Sequence, residues 1–283
     1  MLLAAIAAFL LTSCSQKESS QTDSAALSDS DIAPALEDTL VSTPDAVPLH
    51  FGKTLWKDVR MVHKPACATV EYDVRYADAG PEALVSSINQ WVTSRFELMT
   101  SVSPETLPEA VRKGAEEMLR KDAAEIEETL DPESDASMFQ YERSYKVRVE
   151  YLTAEYVTLS SQFYHYCGGA HGVTLVDHAT FRLADGHQMD WELLKGMDRA
   201  DIKRAIRKGL MGYFEVKTDA ELMAALLLFD EPDIPLPAAP PFLTKNGVEV
   251  IYQQYEIAPY AAGLPSCVVS PKPVLGKSAS LAP

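Results

Sequence analysis

The stretch RSYKVRVEYLTAEYVTLSSQFYHYCGGAHGVTLVDHATF, residues 143–181, decides the fold. Between Arg143 and Tyr151 the side chains alternate, with Tyr145, Val147, Val149 and Tyr151 on one side and Ser144, Lys146, Arg148 and Glu150 on the other. A period of two is that of a strand with one dry and one wet face. Tyr156–Tyr166 and Val173–Phe181 read as two further strands, joined through Cys167-Gly168-Gly169-Ala170-His171-Gly172. Connections this short leave antiparallel pairing as the expected geometry.

Working outward, Phe51–Val62 and Ala68–Tyr76 alternate enough to be strands. Pro81 to Met99 repeats Leu84, Ile88, Trp91, Val92, Phe96 and Met99 at helical spacing, and Glu109 to Leu130 repeats Val111, Ala115, Met118, Leu119, Ile126 and Leu130. Asp185-Gly186 marks a tight turn, Arg199–Phe214 is helical, and Thr218-Asp219-Ala220-Glu221 is a capping box opening a helix to Leu228. A Pro-rich loop (Pro232, Pro235, Pro237, Pro240, Pro241) precedes a hairpin at Asn246-Gly247, whose outgoing strand Val248–Tyr255 runs on until Pro259 forces it from the ladder. The expected class is α+β, an antiparallel sheet with helices packed on it, built from two successive α/β sub-regions, residues 48–152 and 153–283.

The first 47 residues stand apart. Residues 1–13 are apolar and uncharged, the length of a signal-peptide core and too short to span a bilayer. They end in Leu11-Thr12-Ser13-Cys14, which resembles the bacterial lipobox, where the Cys thiol receives fatty acyl chains such as palmitate and the chain is cut before it. Residues 14–47 follow as an acidic tether in which Lys17 faces seven acids (Glu18, Asp23, Asp29, Asp31, Glu37, Asp38, Asp45) and no aromatic side chain occurs. Such a segment buries too little apolar surface to order itself. Ser15 after the Cys carries no Asp-type retention signal, so the expected place is the outer membrane, periplasmic or surface-facing.

The net charge of −16 across 283 residues repels phosphate backbones, which sets nucleic acid aside as a partner and leaves a cationic protein as a plausible one. The same charge would also serve plain solubility. No Gly-x-Ser-x-Gly elbow, His-Glu-x-x-His pair, Walker loop or dinucleotide fingerprint is present, and no cofactor is expected. His165, His171 and His178 lie close in sequence, with Glu256 as the one further ligand a metal site could recruit; partly exposed strand histidines are the commoner reading. Of the thiols left after Cys14, Cys67, Cys167 and Cys267, one internal disulfide can form, and Cys167 with Cys267 is the candidate pair. Gly168 and Gly169 serve either a tight strand connection with positive φ or an anion cradle, and the missing helix behind them favours the connection. In Tyr255-Glu256-Ile257-Ala258-Pro259-Tyr260-Ala261-Ala262-Gly263, small residues around Tyr260 leave its ring uncovered. An aromatic anchor of that kind on a Pro-stiffened loop suits recognition; the alternative is a ring folded back on the core.

These two islands together, Gly168-Gly169-Ala170-His171-Gly172 and Tyr255 to Gly263, resemble the extracellular domain of RsiV-type anti-sigma factors, which sense lysozyme. They also resemble the similar domain beside the catalytic domain of PdaC-type peptidoglycan deacetylases. The resemblance runs from about Tyr156 to Leu275 and includes Phe181…Asp185-Gly186 and Phe242…Gly247. More loosely, Phe51 to Tyr151, with Ser87-Ile88-Asn89, is similar to the companion N-terminal part. It implies a binding module of the cell envelope, expected here to be non-catalytic, and the candidate ligand-binding residues are Gly168, Gly169, His171, Tyr255, Glu256, Pro259 and Tyr260. The expected ligand is a lysozyme-like cationic protein or a peptidoglycan fragment. The chain departs from both families in lacking a sigma-binding segment, a transmembrane helix and a metal-dependent deacetylase domain. Two alternatives remain open, a peptidoglycan-acting enzyme using His171 and Glu256, and a structural subunit of an envelope complex.

Overall fold

A computed structural model describes residues 48–94, 103–131, 133–228 and 233–275. The apolar leader, Cys14 and the acidic tether lie outside the described residues, as do Phe96, Met99 and Pro232.

Two long strands open the fold. β1 (His50–His63) and β2 (Ala66–Ala79) form an antiparallel hairpin. Two helices follow, α1 (Glu82–Thr93) and α2 (Leu107–Thr129). Leu84, Val85, Ile88, Trp91 and Val92 of α1, and Leu107, Val111, Ala115 and Ile126 of α2, are buried at the spacing of one helical face. The buried Asn89 locks α1 to the sheet, since its Oδ1 accepts from Ala77 N at 2.9 Å and its Nδ2 donates to Ala77 O at 2.7 Å. α1 is described from Glu82 to Thr93, and the further apolar positions expected for it, Phe96 and Met99, lie outside the described residues.

β3 (Gln140–Leu152) returns beside β2 and is parallel to it. This pair departs from the all-antiparallel expectation because the α1–α2 crossover, unlike a tight turn, brings the chain back to the same end of the sheet. β4 (Tyr156–Tyr166), β5 (Val173–Arg182) and the two-residue β6 (Gln188–Met189) complete a six-stranded sheet in sequence order. The sheet therefore runs through the 152/153 boundary. α1 and α2 cover one face of it, and their core includes Val70, Val74, Tyr145, Val147, Leu159 and Phe181.

A second layer follows. α3 (Arg199–Tyr213) packs on a three-stranded antiparallel sheet of β7 (Phe242–Thr244), β8 (Gly247–Ile251) and β9 (Ser266–Ser270). α4 (Asp219–Ala225) carries the expected capping box between Thr218 and Glu221. This layer has its own core around Leu193, Leu194, Ile206, Leu210, Val250 and Tyr252. It meets the large sheet through β7, which lies against β3, β4 and β5 on the face away from α1 and α2. Leu243 N donates to Thr180 Oγ1 at 2.9 Å, and the Phe242 ring stacks on His178 at 3.7 Å. The class is thus a mixed α/β fold with a six-stranded and a three-stranded sheet.

Cys267 is a free, buried thiol and is not paired with Cys167. It packs on α3, where a Cβ at Gly209 would come within 2.4 Å of it, whereas Cys167 packs against the other core. The two residues belong to different layers, which the sequence spacing did not reveal.

Candidate functional site

The hairpin of β4 and β5 carries the first island at its tip. Gly168 and Gly169 both have φ near +90°, so the connection uses the left-handed backbone that glycine tolerates. Gly172 is needed for room, because a Cβ there would meet the Tyr164 ring at 2.5 Å. The second island leaves β8 at Ile251, well before Pro259. The reason lies in Gln253 and Gln254. Gln254 Oε1 accepts from Thr174 N at 3.0 Å, while Gln253 accepts from Val176 N at 3.1 Å and donates to Val176 O at 2.7 Å. β6 pairs with β5 only at Thr180 and Phe181, so these amides take the place of a seventh strand along the rest of that edge.

This tethering brings the islands together. The His171 ring stacks on Tyr260 with centroids 3.7 Å apart and planes at 14°. Tyr255 completes the cluster, 6.4 Å from His171 and 6.0 Å from Tyr260, and it is 55% exposed. His171 Nδ1 lies 3.1 Å from Gly172 O, an acceptor, so that nitrogen carries the proton. Its Nε2 then accepts from the Tyr255 hydroxyl at 3.2 Å. Tyr255 holds this position with φ at +66°, the left-handed region in a non-glycine residue. Tyr260 is thus neither bare nor folded onto the core; its ring is half-covered by His171.

Glu256 does other work. Its two oxygens accept from Ala238 N at 2.7 Å and Gln253 N at 2.8 Å, which braces the loop from behind. Pro259 is exposed beside Tyr260, which begins a short 3-10 turn, Tyr260–Ala262. Tyr213 Oη closes that turn by donating to Ala262 O at 2.6 Å.

The other two histidines point elsewhere. His165 accepts from Arg143 at 3.2 Å on the helix side of the sheet, and Arg143 is paired with Asp122 of α2 at 2.8 Å. Burial, with the Arg143 charge adding to it, pushes the His165 imidazole down to about 4. His178 lies between the layers, pushed down to about 3 by burial, and its Nδ1 has no hydrogen-bond partner among the described residues. Among the described residues no three His, Cys, Asp or Glu side chains gather as a metal site would require. As site residues, Gln253, Gln254 and Tyr164 escaped the sequence reading, although two adjacent glutamines at a strand end were a visible clue.

Among the described residues no helix is long and apolar enough to cross a membrane. No curated protein matches the chain. Two solved structures are similar in fold. A DUF3298-family protein from Bacteroides fragilis has a TM-score of 0.64 and 16% identity, covering 82% of this chain and 91% of its own. A DUF3298-family protein from Pseudomonas aeruginosa has a TM-score of 0.53 and 15% identity, covering 78% and 90%. At the level of sequence, residues 193–271, which hold the second island but not the first, match the family model described as "Protein of unknown function (DUF3298)".

Proposed function

We propose that this chain is a lipid-anchored, non-catalytic binding protein of the bacterial cell envelope. Its recognition site is the cluster of His171, Tyr255, Pro259 and Tyr260, and its partner is a cationic protein of the lysozyme type. One observation carries the reading: two islands about 85 residues apart in sequence meet as a pre-ordered aromatic surface, with the His171–Tyr260 stack at 3.7 Å. Rigid aromatic side chains lose little entropy on binding, so a pre-ordered stack with an exposed Tyr255 is suited to capture. The resemblance to RsiV-type and PdaC-type domains supports the envelope setting. The leader ending at Cys14 and the acidic tether support the anchor, and the net charge of −16 supports a cationic partner through faster encounter.

The test is calorimetric titration of the full chain with a c-type lysozyme at low and at physiological salt. Binding that weakens with salt, inhibits the lysozyme and drops at least about tenfold in Tyr260→Ala is the expected result. No heat at either salt, with the variant indistinguishable from the parent, overturns the lysozyme reading.

A further inference from the structure

The large sheet has a face that the second layer covers only in part. Strand register places Val59, Thr69, Glu142 and Tyr166 in one row across β1 to β4, and Lys57, Glu71, Ser144 and Tyr164 in the next. The adjoining row holds Leu55, Asp73, Lys146 and Gln162. Beyond it β7 lies over the sheet, where Ser160 and Thr180 are buried. In the open rows Thr69, Glu71, Ser144, Tyr164 and Tyr166 are half-buried, and Val59 and Glu142 are exposed. The loop cluster rises at one end of this floor, where the Tyr164 ring sits against Gly172; burial first, then the nearby Glu142 and Tyr260, raises the cost of ionising Tyr164.

The charge on this floor is largely cancelled. Lys57 pairs with Glu71 at 2.6 Å, and Asp73 is held between Arg148 at 2.6 Å and Lys53 at 3.3 Å. In a chain of net charge −16 a balanced surface is a distinct chemical region. Between β2 and β4 it offers a ligand hydroxyl groups (Thr69, Ser144, Tyr164, and Tyr166, whose O–H already donates to Gly169 O at 3.1 Å), an amide (Gln162), the Lys146 ammonium, one acceptor carboxylate (Glu142) and two flat rings. Phosphate chains need uncompensated cations, which this floor does not supply. A protein interface centres on a desolvated apolar core; here the exposed apolar side chains, Leu55 and Val59, stand on the edge strand β1, and between β2 and β4 tyrosines alternate with polar groups. A pyranose has the matching character, with an apolar C–H face to lie on a ring and a rim of hydroxyls to bond polar side chains.

We propose that this open sheet face, floored by Thr69, Ser144, Glu142, Tyr164 and Tyr166, binds a neutral oligosaccharide laid across the strands. From β2 to β4 the floor spans about 10 Å, the length of a disaccharide. The site adjoins the loop cluster but does not depend on the loops capturing a protein.

The experiment titrates the full chain with two neutral probes, a β-1,4-linked N-acetylglucosamine tetramer and cellotetraose, followed by calorimetry and by amide NMR shifts. Saturable binding of at least one probe is expected, unchanged between low and physiological salt. It should fall at least about tenfold in Tyr166→Ala and in Thr69→Trp, which fills the floor from β2, and should survive in Tyr255→Ala. Tyr166→Phe keeps the ring and its binding, and melting curves on every variant exclude loss of fold. No saturable binding of either probe overturns the proposal, as does binding that ignores Tyr166→Ala and Thr69→Trp. Lysozyme capture lost in Thr69→Trp, with no saccharide bound, would reassign the face to a protein partner. Lysozyme capture lost only at Tyr260, with saccharide binding intact, separates the loop reading from this one.

Discussion

The two sheets are held in place by different means. The six-stranded sheet is built from strands of up to 14 residues whose long ladders run across β1 to β5, shifting register only at His50/Phe51, Met61/His63 and Val149/Tyr151, and α2 is bolted to it by the Asp122–Arg143 pair. The three-stranded sheet has strands of three to five residues, and side chains of the segment just after β8 reach to foreign backbone: Gln253 and Gln254 to β5, Glu256 to Ala238, and Tyr252 Oη to Pro235 O at 2.7 Å. A backbone ladder survives most substitutions, because every residue brings the same donor and acceptor. A side-chain brace fails with the one residue that supplies it. The candidate recognition site stands on the second kind of support.

The comparison is broken most severely at Asp122. Asp122→Ala removes the carboxylate to which the largely buried Arg143 guanidinium donates two hydrogen bonds, and a loss of about 3 kcal/mol is expected in urea denaturation. The side chain of Asp122 is only 2% exposed, so solvent screens the pair little. A loss near zero would show that the helix is held by its apolar face alone.

Glu256→Ala tests the braced layer. Two backbone N–H groups lose their acceptor, with an expected cost of about 2 kcal/mol. The sharper readout is positional: the ring-current shift of His171 from Tyr260 should disappear in proton NMR, while amide signals from β2 and β3 stay where they were. An unchanged His171 signal would mean that Gln253 and Gln254 suffice to place the loop.

The smallest expected effect is a pH slope. Both His165 and His178 have folded-state values below the ordinary 6.5, at about 4 and about 3. The unfolded chain therefore binds more protons in between, and stability rises with pH there. The contribution is complete above about pH 6.5 and is eroded as pH falls through the window to about 4 for His165 and about 3 for His178. Near pH 5.5 each histidine should cost about 1 kcal/mol relative to neutral pH, read from urea midpoints. His178→Phe keeps a ring on Phe242 and should remove its share of the slope; an unaltered slope would place the titration elsewhere.

Much of the large sheet was legible because its strands carry their own pattern. The alternation from Ser144 to Tyr151 and the apolar spacing of α2 required no knowledge of neighbours. The parallel pairing of β2 with β3 was not legible, since crossover geometry is a property of where two helices land. The candidate site was half-legible. Gly168, Gly169, His171 and Tyr260 announce themselves by type, whereas Glu256 looks the same in sequence whether it binds a ligand or braces Ala238 and Gln253. The Cys167–Cys267 expectation failed for a related reason, as spacing says nothing about which layer a thiol joins.

The glutamine seal on β5 also bears on the order in which the chain emerges from the ribosome. β5 ends at Arg182, yet the groups that close its edge at Thr174 and Val176 lie some 77 to 80 residues further on. Throughout that interval of synthesis, and permanently in any product cut before Gln253, part of the sheet keeps a bare strand edge of the kind that recruits other chains. An export pathway that keeps the chain unfolded until it is complete would spare it that exposure.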